Sequence, residues 1–280
     1  MTRTPQDPWK TQIEQTVKHA EGAHRLTMML PEQLGLYEFN DCDERVLVAL
    51  PLLRSSIDMA AAATKLLTID PVTYGGAAEA MFRPQLERYM RAVLFGSPNL
   101  TDDDEVHAFR EEDEMPRRPK PPPGKKSPKI TFDDLTATVA SEIVQQTHNV
   151  QAALAEGLSD AIVFEKEGLH GAVHGGRIVI RRYSSDGGIL AHNPWALAQG
   201  HHIQCVTALG LLALVQAAHL YGVRNNTNEF RATNAFAKLL SDMYPGMPKP
   251  LSQKTDRREV NKEQVTVDLT VASININIQR

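Results

Sequence analysis

Apolar residues recur every three or four positions along most of this chain, which is the spacing of one face of an α-helix. The spacing predicts helices over residues 8–24, 44–67, 76–95, 131–158, 196–221 and 229–243, with an acidic helix of about ten residues after Asp102. Aspartates suited to capping precede the first two helices, at Asp7 and at Asp41 or Asp43. The pattern therefore predicts an all-α fold, a helical bundle.

The pattern changes near the end of the chain. There, apolar residues alternate with polar ones at Val265, Val267, Leu269 and Val271, and then in the opposite phase at Ile274, Ile276 and Ile278. Alternation is typical of a β-strand, and a change of phase is typical of a bulge or bend. We therefore predict a short β tail, which needs an edge to pair with. Residues 176–183, a second copy of the chain or another protein could supply that edge.

Residues 113–129 interrupt the helical pattern. This segment is rich in proline, lysine and arginine and has too few apolar residues to bury itself, which predicts a flexible or polyproline-type linker. The chain accordingly divides into four parts: N-terminal helices of the bundle (1–112), the linker (113–129), C-terminal helices of the same bundle (130–245) and the extended tail (246–280).

Composition and charge narrow the class of protein. The 280 residues have a mass of 31.0 kDa and are 42 % hydrophobic and 23 % charged, which is ordinary for a globular protein with a large core. The formal net charge of −4 argues against a general nucleic-acid binder, whose surface must neutralise many phosphates. A local basic patch remains compatible with this charge.

Three features predict a cytoplasmic location. Cys42 and Cys205 are far apart and have no metal-ligand spacing, as expected in a reducing compartment. The first residues contain no apolar run, so we expect no export signal. The apolar segment 203–221 has nearly the length of a membrane span but contains four polar side chains: Gln204, Thr207, Gln216 and His219. We therefore expect a buried core helix and no membrane contact.

Residues 165–183 contain the most unusual polar pattern in the chain. His170 and His174 are four positions apart, so in a helix they project from one face. Gly175 and Gly176 follow at once and favour the end of that helix. Arg177 then opens a run of positive charge. This pattern predicts a polar site rather than a packed surface.

Charged residues also interrupt two of the apolar helices. Arg54 and Asp58 are four residues apart in the second helix, and Arg83, Glu87 and Arg91 form a row with the same spacing in the next helix. Charges that point into a core must be paired, because burying a lone charge costs several kcal/mol. The alternative is a solvated row of ion pairs, each contributing about 0.3 to 0.5 kcal/mol.

Three interpretations of these residues stay open at this point. In the first, His170 and His174 are acid and base catalysts oriented by Glu87, and an anionic substrate binds to a second set: Arg54, Asp58, Arg83, Arg91 and Arg177. The second interpretation is a metal or small-ligand site of His170, His174 and a carboxylate, to which His192, His201 or His202 could contribute. The third is that they are structural polar groups. Because His-Glu-x-x-His is absent, we predict no metal and no cofactor.

Several of these motifs resemble an uncharacterised bacterial family of helical proteins. The motifs are Arg54 on an apolar helix, the Phe-Arg-Pro-Gln-Leu-Glu-Arg-Tyr-Met-Arg run at 82–91, and the His174-Gly175-Gly176 step before an apolar helix. The resemblance covers about residues 43–222, and residues 1–30 and 246–280 are extensions to it. That family is distantly similar to HEPN-type bundles, which include RNases of toxin–antitoxin and phage-defence systems.

The resemblance implies a cytosolic binding or interaction module, in a stress or defence system. This chain departs from the HEPN catalytic signature, because no arginine precedes His170 or His174 at the required spacing and the nearest basic residue is Lys166. A metal-independent nuclease or phosphate-ester enzyme centred on these histidines is the alternative. The implied partners are RNA or another phosphate ligand, and a second copy or a protein bound through the tail.

Overall fold

The computed structural model describes residues 8–35, 37, 42–118, 128–146, 184–185, 188–189 and 199–225. These ranges contain the helices α1 (Pro8–Leu34), α2 (Glu44–Ile69), α3 (Pro71–Ala80), α4 (Phe82–Gly96), α5 (Asp103–Glu112), α6 (Phe132–Gln146) and α7 (Gln199–Asn225), with strands β1 (Ser184–Ser185) and β2 (Gly188–Ile189). The prediction of an all-α fold is confirmed for this part of the chain. The predicted helix 229–243 and the β tail within 246–280 lie outside it.

Helix α2 lies at the centre of the bundle. It contacts α1, α3, α4, α5 and α7, and its inward residues, such as Leu53 and Ile57, are fully buried. A helix that packs on several sides needs apolar residues around most of its circumference, which explains the nearly continuous apolar sequence. One stripe of α2 remains open to solvent and carries Leu47, Arg54 and Asp58.

Helix α7 runs antiparallel to α2. Gly210 lies against Ala60 of α2, whereas Leu220, almost three turns later, and Ala49, three turns earlier in α2, both lie beside Gly96 of α4. A β-carbon placed on Gly210 would lie 3.1 Å from the β-carbon of Ala60, so the missing side chain permits the close approach of the two helices. The end of α7 also meets the end of α4, where Leu220 packs over Gly96.

Two helices are long and apolar enough to cross a membrane: α2 and the His202–Tyr221 part of α7. In the second, 83 % of the apolar window is buried inside the protein, and in α2 the share is 44 %. The core helix of a soluble protein passes the same test. Length and composition alone therefore do not place this chain in a membrane.

Helix α1 is longer than predicted. The expected end was near His24 with a loop from Pro31, but the helix continues to Leu34 and contains Pro31 in its last turns. Leu26, Leu30 and Leu34 extend the buried stripe through this region. A proline interrupts one backbone hydrogen bond, and we infer that the burial of these leucines offsets that loss.

The single helix predicted over 76–95 is two helices. Helix α3 ends at Ala80, the backbone N–H of Met81 bonds back to the carbonyls of Ala78 and Glu79, and α4 begins at Phe82. Pro84 explains the break. It has no N–H for the carbonyl of Ala80, and its ring would clash with that carbonyl in a continuous helix.

Two predicted helix starts are confirmed. The side chain of Asp43 accepts a hydrogen bond from the backbone N–H of Val46 at the start of α2. At α5, Asp102 and Glu105 form a reciprocal capping box. These caps satisfy backbone donors that a helix leaves free in its first turn.

The two ends of the segment predicted as a linker pair with each other. Arg117 and Lys129 form an antiparallel β-bridge, and the backbone N–H of Ile130 donates to the carbonyl of Pro116 at 2.8 Å. Residues 119–127 lie outside the described ranges. The two described ends of the segment therefore lie side by side, just before α6.

The turn predicted at residues 184–188 corresponds to a short hairpin. Strands β1 and β2 are antiparallel, with Ser184 opposite Ile189 and Ser185 opposite Gly188. The sequence Ser-Ser-Asp-Gly-Gly at 184–188 is rich in turn-forming residues. The neighbouring residues of the 165–183 motif lie outside the described part.

Candidate functional site

The structure describes one part of the predicted site. That part consists of five charged side chains: Arg54 and Asp58 on α2, and Arg83, Glu87 and Arg91 on α4. His170, His174 and Arg177 lie outside the described residues. The predicted approach of these histidines to the charged helices therefore stays a prediction.

Arg54 and Asp58 form an ion pair along the surface of α2. Nε of Arg54 donates to Oδ1 of Asp58 at 2.9 Å, and the two side chains are 49 % and 54 % exposed. They point outward rather than into the apolar core. An exposed pair of this kind contributes little to stability, because water already solvates both charges.

Glu87 and Arg91 form a second pair, one turn apart on α4. Nη2 of Arg91 donates to Oε1 of Glu87 at 2.6 Å, and both side chains are about one-third exposed. The spacing of four residues predicted that Arg83 continues this row of ion pairs, but its described contact is with an aromatic ring. Its guanidinium lies 4.7 Å from the centre of the Phe132 ring on α6, a cation–π distance.

Arg88 is a basic residue of this surface that the sequence did not single out. Its Nη1 contacts the sulfur of Met59, which follows Asp58 on α2. Among the residues that the structure describes, no carboxylate pairs with Arg88. The set of Arg54, Asp58, Arg83, Glu87, Arg88 and Arg91 belongs to two helices that pack on each other, and the Arg88–Met59 contact links them; we call this set the α2–α4 charged face.

The sequence also did not predict the role of Arg45. Its side chain is only 13 % exposed and donates to the carbonyls of Phe95, Ser97 and Thr101 and to the carboxylate of Asp103. These acceptors extend from the last turn of α4, through the turn that follows it, to the first residue of α5. Arg45 therefore fixes that turn against the start of α2.

A buried carboxyl group joins α6 to the same turn. Glu142 is 2 % exposed, and it accepts hydrogen bonds from the hydroxyl of Ser97 and, at 3.3 Å, from Nδ2 of Asn99. Burial lowers the pKa of His219 on α7, and the charge of Glu142 acts in the opposite direction. The charge of Glu142 on α6 therefore acts on His219 of α7.

A second cluster of ionisable groups joins α2 to α5 at the surface. Oε1 of Glu44 lies 2.9 Å from Nδ1 of His107 and 3.2 Å from Nη1 of Arg110. Glu111 completes this cluster, because its carboxylate lies 3.5 Å from Nε of Arg110. The hydrogen bond to Glu44 raises the pKa of His107 above its ordinary value.

Some polar groups inside the bundle lack hydrogen bonds. Within the part of the chain that the structure describes, both side-chain amide atoms of Gln199 are buried without a partner, as is Oε1 of Gln85. Gln199 stands in the first turn of α7 and touches Gly75 of α3. His202, one of the histidines considered for a metal site, packs edge-on against Phe82 in the same turn, with ring centres 5.9 Å apart.

A pocket of about 300 Å³ lies beside α5. Its wall contains the carboxylates of Asp102, Asp104, Glu105 and Glu114, together with Met115 and Arg117. None of the predicted site residues that the structure describes lines it. The pocket and the α2–α4 charged face are thus different surfaces of the protein.

Comparison with models of protein families, with curated proteins and with solved structures gives no match to this chain.

Proposed function

We propose that this protein is a helical binding module for an anionic partner, with RNA as the first ligand to test, and that it does not cleave its ligand. This is the binding role that the HEPN-like resemblance implies for a cytosolic bacterial protein of a stress or defence system. The observation that carries the proposal is the excess of arginine over carboxylate among the charged side chains of the α2–α4 charged face.

The pairing accounts for these carboxylates without a catalytic role. Glu87 accepts a hydrogen bond from Arg91, and Asp58 accepts one from Arg54. A carboxylate that orients a catalytic histidine must offer an oxygen to the imidazole N–H. Each carboxylate here balances an arginine on its own helix through one oxygen, so the described contacts of Asp58 and Glu87 are explained without a catalytic role.

The excess of arginine on this face favours an anionic ligand. The face contains four arginines and two carboxylates, a formal charge of +2, on a protein whose formal charge is −4. Arg88 is the clearest candidate for a ligand contact, since its described contact is a methionine sulfur. Arginine donates two parallel hydrogen bonds to phosphate, which makes it suited to the backbone of a nucleic acid.

The first experiment measures binding and cleavage on the same RNA. Fluorescence anisotropy of a labelled single-stranded RNA, at several salt concentrations, gives the affinity and its salt dependence. The double variant Arg54→Ala/Arg88→Ala should bind more weakly and lower the slope of log K against log salt by about 0.7 for each lost phosphate contact. The matched control, Lys10→Ala/Lys18→Ala, removes two exposed charges from α1 and should bind as the wild type does.

A cleavage assay on RNA distinguishes a binding module from a nuclease. Total RNA is incubated with the wild type and with His170→Ala/His174→Ala, with and without EDTA. Intact RNA in every lane agrees with the proposal. Cleavage by the wild type that EDTA leaves unchanged and that the histidine variant lacks would establish a nuclease. In the binding experiment, an equal loss of affinity in Arg54→Ala/Arg88→Ala and in Lys10→Ala/Lys18→Ala would show that the α2–α4 charged face is not the binding surface.

A further inference from the structure

The side chains of Glu44, His107 and Glu111 bring three metal-binding groups together on two helices. Each offers one ligand atom, and the three atoms all lie within 4.8 Å of one another. Glu44 opens α2, whereas His107 and Glu111 are four residues apart on α5 and therefore share a face of that helix. Both helices begin with a side-chain cap, so their starts are fixed in the fold.

The distance between two of the three ligand atoms is close to that found around a coordinated metal ion. Ligand atoms about 2.1 Å from a tetrahedral Zn²⁺ stand roughly 3.4 Å apart. Nδ1 of His107 and Oε1 of Glu44 are now 2.9 Å apart and share a hydrogen bond. A small rotation of side chains that are at least 29 % exposed would open this pair to accept an ion, and the same exposure gives the ion access from solvent.

The donor set selects the class of ion. One imidazole nitrogen with two carboxylate oxygens suits the borderline divalent metals, such as Zn²⁺, Ni²⁺ and Cu²⁺, whereas Mg²⁺ and Ca²⁺ prefer oxygen ligands alone. Three protein ligands leave further positions for water. We propose that Glu44, His107 and Glu111 form a surface site for such a transition-metal ion, with Zn²⁺ as the probe.

Arg110 is the internal competitor for this site. Its guanidinium contacts Glu44 at 3.2 Å and Glu111 at 3.5 Å, so it balances the same two carboxylates that an ion would bind. A proton on His107 competes as well, because only the neutral imidazole coordinates a metal. A bound ion therefore takes the place of the Arg110 guanidinium and joins α2 to α5 by coordination. The expected affinity is modest and rises with pH.

The test uses the full chain with its histidine rings isotopically labelled, titrated with Zn²⁺ at neutral to slightly alkaline pH. The background is Cys42→Ser, because an exposed thiol two residues before Glu44 would bind zinc by itself. The His107 signal is identified by its loss in His107→Gln. It should shift and saturate, and Glu111→Gln should weaken that response at least about tenfold.

Two further variants separate coordination from general charge. Glu112→Gln removes an equal charge from the neighbouring exposed position and should leave the response within about twofold of the parent. Arg110→Gln removes the competitor and should tighten binding about two- to fivefold, the value of an exposed ion pair. A gain of affinity cannot come from damage to the fold. A His107 signal that millimolar Zn²⁺ leaves unmoved, or that responds equally in Glu111→Gln and Glu112→Gln, would overturn the site.

Discussion

Arginines of the same helix have different structural roles in this protein. Arg45 and Arg54 both belong to α2, yet Arg45 is 13 % exposed and satisfies carbonyls of the α4–α5 turn, whereas Arg54 is 49 % exposed and pairs within its own helix. The sequence singled out Arg54, because it interrupts an apolar stretch. It gave no sign of Arg45, because the acceptors of that side chain are at least 50 residues away.

We predict a corresponding difference in stability. Arg45→Ala should lower the free energy of unfolding by about 1 to 3 kcal/mol, because it removes the described donor to the carbonyls of Phe95 and Thr101 in a partly buried turn. Arg54→Ala should change it by at most about 1 kcal/mol. Urea denaturation followed by circular dichroism measures both. Equal losses in the two variants would show that burial does not distinguish these arginines.

At the scale of secondary-structure elements, single residues decide where a helix is interrupted and how closely two helices approach. Pro84 separates α3 from α4, and Gly210 sets how closely α7 approaches α1 and α2. The first effect can be read from the sequence, because a proline acts on its own helix. The second could not be predicted, because it depends on which residues of other helices face that glycine.

The glycines of α1 and α7 provide a matched test of packing. Gly210→Leu should destabilise the protein by about 1 to 3 kcal/mol, because a β-carbon there already meets Ala60 at 3.1 Å and Leu30 at 3.2 Å. Gly22 has no atom within 4 Å of the same position. Gly22→Leu should therefore stabilise the protein by about 0.5 to 1 kcal/mol, through its higher helix propensity. Thermal unfolding of both variants measures the difference, and stabilisation by both would contradict the proposed contact.

At the scale of the whole molecule, folding shifts the pKa values of the histidines in opposite directions. Burial lowers the pKa of His219, His24 and His19, whereas the hydrogen bond to Glu44 raises the pKa of His107 at the surface. A histidine with a lowered pKa binds its proton more readily in the unfolded chain. Its contribution to stability is therefore lost as the pH falls below the ordinary value of 6.5.

This contrast predicts the pH dependence of two variants. Between about pH 7.5 and pH 5.5, His219→Gln should lose less stability than the wild type, because it lacks the group that protonates preferentially in the unfolded state. His107→Gln should lose more, since the stabilisation from protonated His107 is present below its ordinary pKa and disappears as the pH rises through its raised value. Urea unfolding at several pH values measures these slopes. Identical slopes in both variants and the wild type would contradict the assignment.

The sequence by itself determined the helical class, the central positions of α2 and α7, the caps at Asp43 and Asp102, and the polar turn at residues 184–188. These features follow from periodicity and local hydrogen bonding, which act over a few neighbouring residues. The length of α1 and the break before α4 were predicted wrongly, although Pro84 carried the signal for the break.

Only the tertiary structure decided which charged groups meet. Ion pairs within one helix, such as Arg54 with Asp58, follow from a spacing of four residues. Glu44 with His107, and Glu142 with Ser97, are pairs separated by 63 and 45 residues. The hydrophobic effect drives burial but has no direction, so it does not encode in the local pattern which helix faces which. The polar clusters of this protein arise where the packed helices happen to meet, and the structure was needed to locate them.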